Sequence, residues 1–215
     1  MLLNGNVNIT VTEDNKSAIN TKGDEDSNHF AYAILKINTE DNKNKKVTIT
    51  GDVLAEEYSA IYLNLNTDES YLSGKFEGSG KFTAKDGSDY ISTLGLHNGA
   101  TWYVPSNVTE LDMVREKQTL NLNGGVLDFY HTAPNTSGSR TGNVTIKNYK
   151  GGTLAGTTFV VGSDISNTNN NNTTEIVLDT STNVSGEEYK LIVAHDDALT
   201  DKNVLFAENN GKAIF

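Results

Sequence analysis

Short segments in which apolar and polar residues alternate run along most of this chain. The clearest lie at 94–104, 108–113 and 120–129, and each contains or adjoins Gly, Asn or Pro. Alternation puts every second side chain on one face of a β-strand, while Gly, Asn and Pro permit sharp turns between strands. The pattern predicts an all-β protein whose short strands turn into one another and stack as a β-solenoid.

The same alternation predicts which side chains point inward. Trp102, the only Trp of the chain, lies two residues after Ala100 and two before Val104, so these three share a strand face. A large ring belongs in the core, so Trp102 is predicted inside, while Tyr103 and Tyr130 are predicted to be exposed. The full predicted interior set is Trp102, Val104, Leu120, Leu122, Val126, Val144, Ile146, Phe159 and Val161.

Repeated segments predict the length of a coil. The repeated segments are 7–11 with 17–19, 47–53 with 59–63, and a weaker copy at 81–84 with 88–91. The offset of about 40 residues between the first two copies predicts two coils of about 20 residues. Further on, the intervals from Leu94 to Leu120 and from Leu120 to Val144 are each about 25 residues, which predicts one coil for each interval.

Composition supports this fold class. With 36% hydrophobic residues, 19 Gly and 2 Pro in 215 residues, the chain suits a thin coil with an interior one side chain deep. We therefore predict one domain over 1–215, a single right-handed parallel β-helix of about nine coils of about 24 residues.

Polar corner loops are predicted at 23–29, 39–46 and 130–142. The more apolar part, 94–194, is predicted to resist denaturant longer than the N-terminal part, 1–90.

Charge and residue types exclude several functions. A net charge of −11 with only Arg115 and Arg140 as arginines disfavours binding to nucleic acid or to anionic membranes. The absence of Cys means that no disulfide holds the fold, which suits a chain that crosses a membrane unfolded. The four His residues are far apart in sequence, and neighbouring carboxylates on a strand face opposite ways. We therefore expect no catalytic residue, metal or cofactor, and the candidate binding residues are Tyr103, Tyr130, His131 and Arg140.

An ordered set of strands resembles the pertactin-like passenger region of bacterial autotransporters. The set comprises Asn98-Gly99-Ala100-Thr101-Trp102, Val108-Thr109 with Leu111, Leu122-Asn123-Gly124-Gly125 with Leu127, and the strands at 144–149, 151–154, 159–161 and 163–165. The resemblance covers roughly 94–194. It implies a non-catalytic passenger exported by type V secretion to the outer membrane and cell surface, or secreted. Such a segment would act in adhesion, self-association or surface display during virulence.

The resemblance also implies partners. These are a host-surface protein or glycan, or a second copy, and a translocator barrel of the same precursor that this chain does not contain. Both ends of the chain lie within a coil pattern, so we expect them to have been cut from a longer protein. The alternative is a polysaccharide-acting β-helix enzyme, a lyase or hydrolase. Three or more Asp, Glu, Lys or Arg side chains in one groove of consecutive coils would favour that alternative.

Overall fold

The structure is entirely β in the part of the chain that it describes. This computed structural model describes residues 1–11, 17–25, 30–39, 45–112, 118–136, 144–147, 154–164, 172–173, 176–179, 190–194, 207–209 and 212–214. Those ranges contain strands and turns but no helix, and thus no helix long and apolar enough to span a membrane. The predicted all-β class is confirmed.

Sheet A contains five parallel strands. In spatial order they are β1 (Leu2–Leu3), β6 (Ala33–Ile37), β9 (Ser59–Leu65), β14 (Ser92–Leu96) and β17 (Gln118–Asn121). Their register aligns a column of apolar residues on the inner face, namely Leu3, Ile37, Leu63, Leu94 and Leu120. The neighbouring outward column begins at the exposed Leu2 and is otherwise polar, namely Lys36, Tyr62, Thr93 and Thr119.

Sheet B contains seven parallel strands and a short antiparallel one. The parallel strands are β2 (Val7–Thr10), β7 (Val47–Thr50), β10 (Tyr71–Ser73), β15 (Thr101–Tyr103), β18 (Val126–Asp128), β20 (Thr158–Asp164) and β23 (Lys190–Ala194). Strand β21 (Asn172–Thr173) pairs antiparallel with the end of β20. The register aligns Ile9, Ile49, Leu72, Trp102, Leu127, Phe159 and Leu191 in a second apolar column.

The remaining parallel strands form two separate sheets. Sheet C consists of β3 (Ser17–Thr21), β8 (Asp52–Ala55) and β11 (Phe76–Glu77), and sheet D of β16 (Glu110–Asp112), β19 (Val144–Lys147) and β22 (Ile176–Asp179). Three antiparallel hairpins complete the described strands: β4 (Asp24–Glu25) with β5 (Phe30–Ala31), β12 (Phe82–Thr83) with β13 (Asp89–Tyr90), and β24 (Ala207–Asn209) with β25 (Lys212–Ile214).

The chain contributes strands to the sheets in a fixed order. Five times it passes from sheet A to sheet B and then to sheet C or D. These five turns are β1–β2–β3, β6–β7–β8, β9–β10–β11, β14–β15–β16 and β17–β18–β19. The inner columns of all four sheets join one hydrophobic core. Each turn therefore buries its apolar side chains against the next turn, as the low apolar content of the chain requires.

Eight of the nine predicted interior residues are buried. Trp102 is 1% exposed, whereas Val126 is only half-buried and its neighbour Leu127 is fully buried. The prediction for Val126 is wrong because the chain turns just before it. Gly124 adopts φ +74°, and the Gly125 N–H donates to the Leu122 carbonyl, which shifts the alternation by one residue.

The sequence prediction placed the repeat of Val7 at Val47 correctly but assigned two coils to the segment between them. Val7 pairs directly with Val47, so the whole segment between them forms one turn and not two coils. Like other turns, this segment contains one strand of sheet C, β3, and one of sheet A, β6. It is longer because it also contains the hairpin of β4 and β5. The segments 17–19 and 59–63 do not correspond, because Ile19 pairs with Val53. The weak third copy is the hairpin of β12 and β13, not a coil.

Turn length is also less regular than predicted. Leu94 pairs with Leu120, which confirms that one turn connects them, but Val144 belongs to sheet D and not to the Leu120 column. Within the apolar column of sheet B, the sequence spacing is shortest between Ile49 and Leu72 and longest between Ile9 and Ile49. The described part of sheet B has seven parallel strands in place of nine coils of constant length.

Candidate functional site

Three of the four predicted binding residues lie on or beside the outer face of sheet B. Trp102 points inward, so its neighbour Tyr103 projects outward from β15. The register sets Tyr103 between Ser73 of β10 and Asp128 of β18. The ring of Tyr71 meets that of Tyr103 edge-on, with centroids 5.9 Å apart and planes at 74°. Strand alternation thus places the phenol of Tyr103 beside the carboxylate of Asp128, on adjacent turns.

The carboxylate of Asp128 closes the turn that follows β18. Its Oδ1 accepts hydrogen bonds from the backbone N–H groups of Tyr130, at 2.9 Å, and His131, at 2.8 Å. Its Oδ2 lies 2.8 Å from His131 Nδ1. Asp side chains favour such turns because the carboxylate replaces a backbone acceptor. Asp128 is therefore buried although it stands on an outer face.

The loop after Asp128 folds back across sheet B. Ser73 Oγ donates a 2.7 Å hydrogen bond to the carbonyl of Thr132. Because Ser73 and Asp128 stand on either side of Tyr103 in the register, the loop crosses the strand that carries Tyr103. Thr136 holds the next turn, since its Oγ1 accepts from the Ala133 N–H at 3.1 Å. We call Tyr103, Asp128, Tyr130 and His131 the Tyr–His cluster.

The predictions of exposure for the two tyrosines are wrong. Tyr130 is only 8% exposed and Tyr103 is half-buried. The cause is the folded-back loop, which brings the Tyr130 ring edge-on to His131 at 4.8 Å and covers the strand below. The His131 side chain is 33% exposed and is therefore the more accessible of the two rings. Arg140 lies outside the described residues.

Burial affects the ionisation of Tyr103. Desolvation raises the pKa of the Tyr103 phenol above its ordinary value, and the charges of Asp128 and Tyr71 raise it further. The phenol therefore remains a hydrogen-bond donor at neutral pH. Ser73, which Tyr103 separates from Asp128 in the register, donates its hydroxyl to the Thr132 carbonyl and not to His131.

Sequence reasoning missed an aromatic patch on the hairpin of β12 and β13. Phe82 and Tyr90 stack with centroids 5.3 Å apart, and Tyr32, 44% exposed, packs 6.0 Å from Tyr90. The signal was present as Asp86-Gly87 between two alternating segments, the usual mark of a hairpin. Gly87 adopts φ +82°, as such a turn requires.

Two polar interactions stabilise this hairpin. Lys81 Nζ lies 2.6 Å from Asp89 Oδ2, and Thr83 Oγ1 donates to Asp89 Oδ1 at 2.6 Å. The hydrogen bond from Lys81, then that from Thr83, holds the pKa of Asp89 below its usual value. Asp86 has a lowered pKa as well, because the N–H and hydroxyl of Ser88 stabilise its charged form.

A cavity of about 240 Å³ opens where sheet C ends and sheet D begins. Its lining includes Lys75 and Glu77 from the third turn and Glu110 from the fourth. Three charged side chains from consecutive turns thus share one opening. The sequence did not reveal this grouping, because Glu77 and Glu110 are far apart along the chain.

Within the described ranges, no three His, Cys, Asp or Glu side chains are arranged to hold a metal ion. Comparison with protein-family models, with curated proteins and with solved structures finds no match to this chain.

Proposed function

We propose that this chain is a right-handed parallel β-helix from the passenger of a bacterial autotransporter, exported to the cell surface or secreted. It acts without catalysis, in adhesion, self-association or surface display. The observation that carries the proposal is the fivefold repetition of one strand order with apolar columns in register. The segments behind the family resemblance fall on these turns, at β15, β16 and β18.

This architecture suits an exported surface protein. A stack of turns needs only neighbouring turns to bury its core, so it can form progressively after the chain crosses a membrane. The chain has no Cys, so folding outside the cell requires no oxidation. A long stack also presents extended lateral faces, on which loops vary without disturbing the core.

The Tyr–His cluster is the proposed contact surface on this stack. It combines the half-buried phenol of Tyr103 on β15 with the partly exposed imidazole of His131, which stands on a loop anchored at Asp128 and Ser73. Anchoring lowers the entropy lost when a partner binds. The proposed partner is a host-surface protein or glycan, or a second copy of this chain.

Surface location is tested on the bacterium that makes the protein. Antibodies raised against the purified chain should label intact cells as strongly as permeabilised ones, or should detect the protein in the medium. A cytoplasmic protein serves as the control that becomes accessible only after permeabilisation. Labelling confined to permeabilised cells would refute export.

Binding is tested with the purified chain against immobilised glycans, matrix proteins and the chain itself. His131→Ala should weaken any such binding, because it removes the accessible ring of the cluster. The matched control, Thr119→Ala, changes an outward residue on sheet A and should have no effect. Circular dichroism of both variants checks that the strands remain. Equal binding by both variants would place the contact surface elsewhere.

The polysaccharide-acting enzyme remains a second candidate because Lys75, Glu77 and Glu110 share the cavity. Incubating the chain with neutral and uronate polysaccharides, and measuring new reducing ends or unsaturated products, tests this function. Turnover that disappears in Glu110→Gln would favour the enzyme and contradict the non-catalytic proposal. Absence of product across the panel would support the proposal.

A further inference from the structure

The corners that lead from one turn to the next strand of sheet A differ in length. Residues 56–58 alone separate β8 from β9. The corner before it, from β3 to β6, contains the hairpin of β4 and β5, and the corner after it, from β11 to β14, contains the hairpin of β12 and β13. Because β9 lies between β6 and β14 in sheet A, two long corners lie on either side of one short corner.

Aromatic side chains from the two long corners meet across the third turn. Tyr32 stands directly before β6, and Tyr90 ends β13, just before β14. Strands two positions apart in a sheet are separated by about 9.6 Å. The centroids of the two tyrosine rings are nevertheless only 6.0 Å apart, with planes at 23°. The two phenol side chains therefore lean toward each other over the short corner.

The ring of Tyr90 is fixed by its hairpin. Phe82 pairs with Tyr90 in the register of β12 and β13, and the two rings stack with centroids 5.3 Å apart and planes at 22°. Asp89, the neighbour of Tyr90, is bound by Lys81 and by Thr83. These contacts hold the Tyr90 phenol beside the ring that approaches it from the second turn.

The pair of Tyr32 and Tyr90 is open to small reagents. The Tyr32 side chain is 44% exposed, and Tyr90 is half-buried. Tyr71 and Tyr103 also lie in contact, but both are half-buried, their rings meet at 74°, and a loop crosses the strand of Tyr103. Tyr71 and Tyr103 are therefore less accessible to an oxidant than Tyr32 and Tyr90.

We infer that Tyr32 and Tyr90 are a modification site, at which hydrogen peroxide and a haem peroxidase join the two rings as dityrosine. The oxidised haem takes one electron from each phenol, and each phenol releases one proton to water. The two radicals then form one C–C bond between the ring carbons next to the phenol oxygens. The hydrogen on each coupled carbon moves as a proton, through solvent, to the phenol oxygen.

The reaction balances with one peroxide for each cross-link. Hydrogen peroxide accepts the two electrons and two protons that the tyrosines lose, and it becomes two molecules of water. The chain therefore loses two hydrogen atoms and no other atom. This modification goes beyond the proposed function and does not depend on it.

The cross-link would give this chain a covalent staple that needs no thiol, since the chain has no Cys. It would close a loop of about 60 residues that includes the third turn. Closing a loop restricts the unfolded chain, as a disulfide does. We expect the cross-linked chain to unfold at a Tm about 5–15 °C higher than the untreated chain.

Oxidation of the dilute purified chain with hydrogen peroxide and a haem peroxidase tests the site. Monomer is isolated by size-exclusion chromatography, digested and analysed by mass spectrometry. We expect a monomer lighter by two hydrogen atoms, with dityrosine emission and one linked peptide pair that fragmentation assigns to Tyr32 and Tyr90. The chain oxidised in urea should lose the preference for this pair, because only the fold brings the two rings together.

Conservative variants separate this pair from the other tyrosines. Tyr32→Phe keeps an aromatic ring but lacks the phenol oxygen, so it should abolish the linked peptide and the rise in Tm. Tyr71→Phe is the matched control and should behave like the parent chain. Tyr62→Phe is a second control: desolvation raises the pKa of the Tyr62 phenol and the charge of Tyr90 raises it further, so Tyr62 also lies near Tyr90. It should leave the linked peptide unchanged.

Four results would overturn the inference. These are no dityrosine within the monomer, a cross-link that Tyr32→Phe leaves unaltered, a cross-link assigned to another pair such as Tyr62 with Tyr90, and dityrosine found only between two copies of the chain. Circular dichroism of the three variants before oxidation checks that their strands remain. The test uses purified protein, so its result is separate from that of the surface-location experiment.

Discussion

Replacing Leu94 with Ala tests the stacked apolar columns most directly. Leu94 is 0% exposed and lies in the middle of the inner column of sheet A. Its register neighbours are Leu63 on one side and Leu120 on the other. Both neighbours belong to strands held by backbone pairing, so neither can move far to fill the space that Leu94→Ala would leave.

The expected loss follows from the atoms removed. Leu→Ala deletes three buried carbons, worth about 0.8 kcal/mol each in transfer free energy, or about 2.4 kcal/mol. The unfilled cavity raises the total toward the upper part of the range of about 2–5 kcal/mol seen for such substitutions. We expect about 3–4 kcal/mol, which corresponds to a fall in Tm of about 6–16 °C for a chain of this size.

Urea unfolding followed by Trp102 emission measures this loss. Thr93→Ala is the matched control, because Thr93 is the neighbouring residue on the same strand and points outward beside Tyr62. It should change stability by no more than about 0.5 kcal/mol. Equal effects of the two variants, or a loss below about 1 kcal/mol for Leu94→Ala, would refute the inner column and the register that defines it.

Three further predictions concern the loop, the phenol and the two halves of the chain. Asp128→Ala removes the acceptor for the Tyr130 and His131 N–H groups, so limited proteolysis should cut within 129–136 faster than in the parent; unchanged cleavage would contradict the anchoring role. The pKa of Tyr103 is raised on folding, so its contribution to stability is present below pH ~10 and lost as the pH rises through the folded value. Thermal unfolding of Tyr103→Phe should therefore lose less stability than the parent between about pH 9 and 11, and parallel curves would contradict the shift. Hydrogen exchange should be slower in 94–194 than in 1–90, and the reverse order would refute the sequence-based stability prediction.

Sequence alternation predicted the fold class because inward and outward positions differ in polarity. It placed Trp102 and the pairing of Leu94 with Leu120 correctly, since both depend only on local alternation and turn spacing. It failed at Val126, where a glycine turn shifts the alternation by one residue. Alternation also does not distinguish a coil strand from a hairpin, so the strand at Phe82 was assigned to a coil.

The Tyr–His cluster was only partly predictable for a different reason. Tyr103 and His131 could be selected as candidates from residue type and position. The burial of Tyr130, however, depends on the hydrogen bond that Asp128 accepts and the one that Ser73 donates, which fold a loop back over a sheet. The cavity between sheets C and D depends on the pairing of distant strands, which no local pattern encodes.

The break between β11 and β16 divides the stack unequally for folding. Neighbouring turns in the described part of the chain usually share three pairs of hydrogen-bonded strands, one in each of three sheets. The third and fourth turns share only two such pairs. In a linear array, cooperativity is limited by the weakest coupling between neighbours. We therefore expect the first three turns and the turns that follow to behave as two folding units. Partial unfolding would then separate them between β11 and β16, the one place in the described turns where a strand pair is missing.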